Sequence, residues 1–242
     1  MEHYLYLAVN LFSVLLPVVF SFHPKLQFHL HWNVFVRSNL TMALLFICWD
    51  VCFTRMGVWG FNERYLLGMY ILGLPLEEIL FFICIPFSCL FTFHCISLIK
   101  WIPKSNELIL SSLLALPLMV LGVVYLDKWY TACTFLGLSL FLFAHVIYFR
   151  FSWMRHFYLS FVLILPFFFL TNGILTGYFT KQPVVWYNDA ENLGIRLGSI
   201  PVEDVFYGMW MLMLNTCLFE ITKSTLEKRK VSTLTEETKA QM

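Results

Sequence analysis

Charged side chains make up only 13% of this 242-residue chain, whereas soluble domains average about 25%. Four of its long apolar runs contain no Asp, Glu, Lys or Arg, and no Lys or Arg lies deep in any of them. The formal net charge of +1 leaves no basic excess for binding nucleic acid. The seven cysteines lie in apolar stretches and none forms a CxxC pair. That pattern excludes a zinc knuckle or a disulfide framework, and the cysteines read as small apolar residues. There is no GxGxxG, HExxH or GxSxG motif, so neither a Rossmann nucleotide site, a zinc helix nor a nucleophile elbow is indicated. No pair of Asp-rich DxxxD motifs is present to hold a diphosphate through magnesium. The last apolar run has no internal lysine for a retinal Schiff base, since Lys223 comes only at its exit. No cofactor and no metal is expected.

What the chain does contain is apolar surface: 60% hydrophobic residues, 19% aromatics and 26 Phe. Spanning a bilayer takes about 20 mainly apolar residues. Seven stretches qualify, near 4–22, 33–54, 74–99, 108–126, 130–149, 157–178 and 201–222. The expected fold is all-α and integral to the membrane, with seven transmembrane helices in residues 1–222 and a short tail over 223–242 that is polar and frayed. The first run lacks a basic n-region and a small-residue cleavage site, so it reads as a retained span. Lys and Arg set orientation. Eleven (Lys25, Arg37, Lys100, Lys104, Arg150, Arg155, Lys223, Lys228, Arg229, Lys230, Lys239) fall on the side of the C-terminus. Five (Arg55, Arg64, Lys128, Lys181, Arg196) fall on the other. The C-terminus is therefore expected in the cytoplasm and the N-terminus outside.

Displacing the sequence by 126 positions aligns residues 53–82 with 179–208 without a gap. Eight of these 30 positions are identical, against about two expected by chance: Phe53/Phe179, Thr54/Thr180, Val58/Val184, Asn62/Asn188, Leu67/Leu193, Gly68/Gly194, Pro75/Pro201 and Glu77/Glu203. The match equates spans two and three with six and seven. An even displacement preserves membrane orientation, so the expected plan is three helices (about 1–99), a connecting helix (108–126) and three more (about 130–222). This is a parallel repeat about an axis along the membrane normal.

Six acids fall inside the spans: Asp50, Glu77, Glu78, Glu203, Asp204 and Glu220. Unpaired carboxyls in a membrane are expensive, and function is the default reading. The competing reading makes Glu77, Glu78, Glu203 and Asp204 ordinary acids in a helix first turn behind Pro75 and Pro201, but two such pairs in a repeat argue for chemistry. Neighbouring helix residues point about 100° apart, so within each pair one acid can line a cavity while the other makes a supporting hydrogen bond. Asp50, Asn62, Asn172, Asn188 and Arg196 are the candidate supporting polar groups, with Arg196 placed to hold Glu203 or Asp204. Trp59, Phe61, Phe81, Phe82, Trp186, Tyr187, Phe206 and Tyr207 crowd the same level. They can form an interfacial belt, or offer ring faces to a developing cation. His94 and Glu220 lie roughly 28 Å further along their helices and read as interfacial anchors.

The stretches GVWGFN…GLPLEEILFFICIPF and TGYFTKQPVVWYN…LGIRLGSIPVEDVFYG resemble the integral-membrane lycopene cyclase domain family of bacteria, archaea and fungi. The resemblance covers about residues 3–222. It places that family's acidic motif on Glu77, Glu78, Glu203 and Asp204, and its preceding Asp on Asp50. It implies a flavin-independent β-cyclase acting on lycopene or a related linear carotenoid dissolved in the bilayer, and it admits association with other carotenoid enzymes. The chemistry begins with protonation of a terminal alkene and ends with loss of a proton, so no redox cofactor is needed. A neutral carboxylic acid among the catalytic candidates Glu77, Glu78, Glu203 and Asp204 must supply the first proton, and burial favours the neutral form of a carboxyl. The alternatives are a C50 or one-end cyclase, a proton- or ion-coupled transporter and a non-catalytic carotenoid-binding protein.

Overall fold

The computed structural model describes residues 2–99 and 106–240, with side chains through Arg229. Lys100 and Lys104, and the side chains of Lys230 and Lys239, lie outside this description. Among the described residues, seven helices are long and apolar enough to cross a membrane: α1 (Leu5–Ser21), α2 (Trp32–Met56), α3 (Leu76–Ser97), α4 (Glu107–Val124), α5 (Trp129–Ala144), α6 (Met154–Leu175) and α7 (Val202–Ala240). The protein is an integral membrane protein. α5 ends in a π-helical turn over His145–Phe149. The expected frayed tail is instead helical, because α7 continues to Ala240. Its Glu-, Lys- and Leu-containing sequence carries no Gly or Pro to interrupt it.

α1 packs on α3 and α5 on α7, while α2 lies against α7, α6 against α3, and α4 covers α5. At one end of the bundle the two long loops meet. Strand β1 (Trp59–Phe61) pairs antiparallel with a strand from the second loop, Val185–Tyr187, with Trp59 opposite Tyr187. Each loop also carries a two-residue hairpin. In the first, β2 (Tyr70–Ile71) pairs with β3 (Leu74–Pro75). In the second, β5 (Arg196–Leu197) pairs with β6 (Ile200–Pro201), the strand Val185–Tyr187 being β4. Gly60 sits opposite Trp186, whose indole occupies the space that a Cβ at Gly60 would need, 2.3 Å from the nearest ring carbon.

Prolines inside two helices create acceptors that the fold then uses. A proline cannot donate to the carbonyl four residues back. Pro17 thus frees the carbonyl of Ser13, which accepts from Ser88 Oγ at 2.8 Å and ties α1 to α3. Pro86 frees the carbonyl of Phe82, which accepts from Asn39 Nδ2 at 3.0 Å and ties α2 to α3. In an apolar solvent such orphaned carbonyls need a partner within the protein.

Candidate active site

The first turns of α3 and α7 carry the paired acids, and the loop ahead of each helix folds back over it. Glu77 Oε1 accepts from the main-chain N–H of Leu67 at 2.6 Å, and Glu203 Oε1 accepts from that of Leu193 at 2.8 Å. Thr131 Oγ1 adds a second bond to Glu203 Oε1 at 2.6 Å. Both side chains are fully buried. The turn that presents those amides has Gly68 at φ +80° and Gly194 at φ +68°, a region in which Gly costs least.

The second acid of each pair faces elsewhere. Glu78 and Asp204 line a cavity of about 420 Å³, together with Asp50 of α2. Glu78 Oε2 accepts from Tyr6 Oη of α1 at 2.5 Å. Asp204 Oδ1 accepts from Tyr130 Oη of α5 at 2.5 Å, and its Oδ2 from Tyr187 Oη at 2.9 Å. Asp50 Oδ1 accepts from Trp59 Nε1 at 2.5 Å and from Thr54 Oγ1 at 3.3 Å. Among the described residues no salt bridge reaches any of these three acids. Burial, reinforced by the charge of Asp204, pushes the Tyr187 phenol well above its usual range, so it remains a hydrogen-bond donor.

Aromatic rings build the wall beside the acids. Trp59, Phe61, Phe81, Tyr187 and Tyr207 all line the cavity, with Tyr6 and Tyr130. Trp59 packs against Phe53, Tyr130, Tyr187 and Tyr207 at centroid distances of 5.0, 5.1, 6.3 and 6.4 Å. The opposite wall comes from α1 and α6. It includes Phe12, Leu16, Phe20 and Phe167, residues that are also exposed on the outer surface of the bundle, Phe12 to 76%. The cavity therefore opens sideways, between α1 and α6, onto the face that lipid covers.

Sequence comparison decides what kind of site this is. The profile described as Lycopene cyclase matches residues 3–96 and again 127–222. The chain belongs to the lycopene cyclase family. No curated protein and no solved structure matched it. The cyclase is thus a membrane-embedded carotenoid cyclase whose substrate is a linear carotenoid. Its two matched segments start 124 residues apart and end 126 apart.

The expected site residues divide into two groups. Asp50, Glu78, Asp204, Trp59, Phe61, Phe81, Asn172, Tyr187 and Tyr207 line the cavity of the cyclase. Glu77 and Glu203 do not; a one-residue step on a helix turns them toward the loop amides instead. Phe82 is packed in the main apolar core, and Phe206 stands edge-on to Phe135 at 5.2 Å. Trp186, 43% exposed, covers Gly60 from outside. Asn62 and Asn188 serve their loops, accepting from the N–H groups of Arg64 and Ala190 at 3.1 Å each. Arg196 was expected to hold Glu203 or Asp204, but it bonds Asp189 at 2.5 Å and the Ser199 carbonyl at 2.9 Å. The cause is local: the β5–β6 hairpin points its guanidinium back over its own loop, 5.9 Å from the Tyr187 ring centroid.

Two cavity groups escaped the sequence reading, Tyr6 and Tyr130, each lying in a span without charge. They occupy corresponding places, each donating to the second acid of its half. Their separation is 124 residues, not 126, so a gapless self-comparison at 126 does not align them. Allowing a two-residue gap would have paired them.

Proposed function

We propose that this chain is a lycopene β-cyclase that closes the end groups of lycopene by proton-initiated cyclisation, without net redox change. The observation that carries the reading is one cavity in which three buried acids, without ionic partners among the described residues, meet a wall of aromatic rings. A terminal alkene is a very weak base, and protonating it takes a neutral carboxylic acid held away from water. The proton adds to the end double bond and leaves a tertiary cation. The neighbouring double bond attacks it, forming the ring and moving the charge. Loss of a ring proton restores a double bond, so one proton is taken up and one released.

Ring faces of Trp59, Tyr187 and Tyr207 offer negative potential to the moving cation. Asp50 fixes the Trp59 indole and the carboxyls of Glu78 and Asp204 handle protons, with Glu77 and Glu203 bracing the loops ahead of α3 and α7. A polyene already dissolved in the bilayer reaches the acids through the gap between α1 and α6, without crossing water. The excess of Lys and Arg near the C-terminus supports a cytoplasmic C-terminus, with the acids toward the opposite face. The matching bonds of Glu77 and Glu203 support a three-one-three parallel repeat in which α4 is the connector.

Expression in cells that accumulate lycopene tests the reading. β-Carotene is the expected pigment, with γ-carotene as its one-ring precursor. Unchanged lycopene, with the protein present and folded in the membrane, would overturn the reading. Rings confined to one end, or rings only on C50 chains, would replace the β-cyclase by that narrower enzyme.

A further inference from the structure

The two halves of the site do not treat their acids alike. Glu78 accepts one phenol hydroxyl, from Tyr6, while Asp204 accepts two, from Tyr130 and Tyr187. The difference traces to one position of the repeat, where Tyr187 corresponds to Phe61. A second departure falls on the same side: Arg196, whose counterpart is Tyr70, stands 5.9 Å from the Tyr187 ring centroid.

Both departures favour the same division of labour. A carboxylic acid that is to protonate an alkene needs an oxygen free to present its proton. Glu78 has one, since among the described residues only Oε2 is engaged. In Asp204 both oxygens accept O–H donors. That is the pattern of a carboxylate, whose oxygens each keep a second lone pair for a further proton. The Arg196 guanidinium, although ion-paired with Asp189, stands beside Tyr187 on that side.

We propose that Glu78 is the proton donor that starts cyclisation and Asp204 the acceptor that removes the ring proton, with Tyr187 as the positioning residue that makes them unequal. This rests on the reading above and deepens it. The Glu78 O–H bond breaks as a C–H bond forms at the alkene. A C–H bond on the ring cation then breaks, its electron pair becomes the ring double bond, and its proton goes to Asp204. Proton return from Asp204 to Glu78, directly or through solvent, resets the pair. Because the acceptor's position selects which proton leaves, it also selects where the ring double bond lies.

Purified protein in liposomes, given lycopene in deuterated water, separates the steps. Wild type should place one deuterium in each ring, and a wild type forming no rings would defeat the β-cyclase reading itself. Glu78→Gln should give neither rings nor deuterium in recovered lycopene, and Glu78→Asp should restore some of both, which excludes simple misfolding. Asp204→Asn should lower β-ring formation by at least about 10²-fold while recovered lycopene gains deuterium, because protonation by Glu78 continues and reverses. Tyr187→Phe should raise the share of rings with a displaced double bond, and adding Phe61→Tyr should not repair it, since that hydroxyl belongs to the other acid's side. Deuterium entering lycopene in Glu78→Gln, or identical loss of rings and of exchange in Glu78→Gln and Asp204→Asn, would overturn the division. Tyr187→Phe slowing the reaction with the ring double bond unmoved would remove Tyr187 from it.

Discussion

Glu77 Oε1 accepts the main-chain N–H of Leu67 across 2.6 Å, ten residues back, while its other oxygen is buried without a hydrogen-bond partner among the described residues. Glu203 repeats the arrangement with Leu193. In the proposed function these acids brace the loops, and that changes what their substitution should do. In Glu77→Gln the amide oxygen can keep Leu67, but an NH2 group then occupies the dry position. A buried donor left unsatisfied costs about 1–3 kcal/mol. The expected outcome is a lower melting temperature in detergent, with turnover per folded molecule within about tenfold of wild type, a rise of no more than about 1.4 kcal/mol in the barrier. An unchanged melting temperature with turnover abolished would make Glu77 a member of the reacting group.

Trp59 and Asp50 form a second coupled pair, joined by the 2.5 Å indole bond. Asp50→Ala removes the acceptor, and hydrogen bonds to charged groups contribute about 1.5–3 kcal/mol. The indole then loses its anchor inside a wall of four other rings. Ring formation should fall by about tenfold or more, and indole fluorescence should report the altered setting of Trp59. Asp50→Asn, which keeps an acceptor oxygen, should fall less. Equal effects of Ala and Asn would show that the carboxyl itself, and not its hold on Trp59, is what matters.

The β1–β4 ladder makes a topological prediction. With the seven native cysteines replaced, Asn62→Cys and Asn188→Cys should both label from the same, non-cytoplasmic side of sealed vesicles, because their loops are hydrogen-bonded to each other. Labelling of the pair only from the cytoplasmic side would invert the orientation drawn from Lys and Arg.

Access from the bilayer predicts a steric effect without a folding effect. Phe167 is 69% exposed and lines the mouth beside Leu16. Leu16→Trp should narrow the gap between α1 and α6, so kcat/KM for lycopene should drop while the melting temperature holds. Unaltered kcat/KM would place the substrate's route elsewhere.

Cofactor independence is tested by assay of purified protein stripped of small molecules. Rings should form from lycopene with no flavin or nicotinamide added. A strict need for reduced flavin would end the proton-only mechanism.

Much of this was written in one dimension. Apolar runs of about 20 residues dictate spans because a bilayer core leaves no other partner for backbone polar groups. The match at 126 positions located both acidic motifs and both loops, and the 100° step between neighbouring helix residues already required Glu77 and Glu78 to part. What it could not say was which acid of each pair faced inward, since that depends on how α3 and α7 are rotated against α1 and α5. Nor could it show Tyr6 and Tyr130 as partners of Glu78 and Asp204: neutral tyrosines in uncharged spans give no sequence signal until two helices distant in sequence are packed together. Arg196 marks the same limit. Its charge was visible in the sequence, but its direction was set by a hairpin of four paired residues that turns it to Asp189. The chemistry available to the chain follows from composition and motif; which atoms meet the substrate follows from helix rotation and from the loops that close over the helix ends.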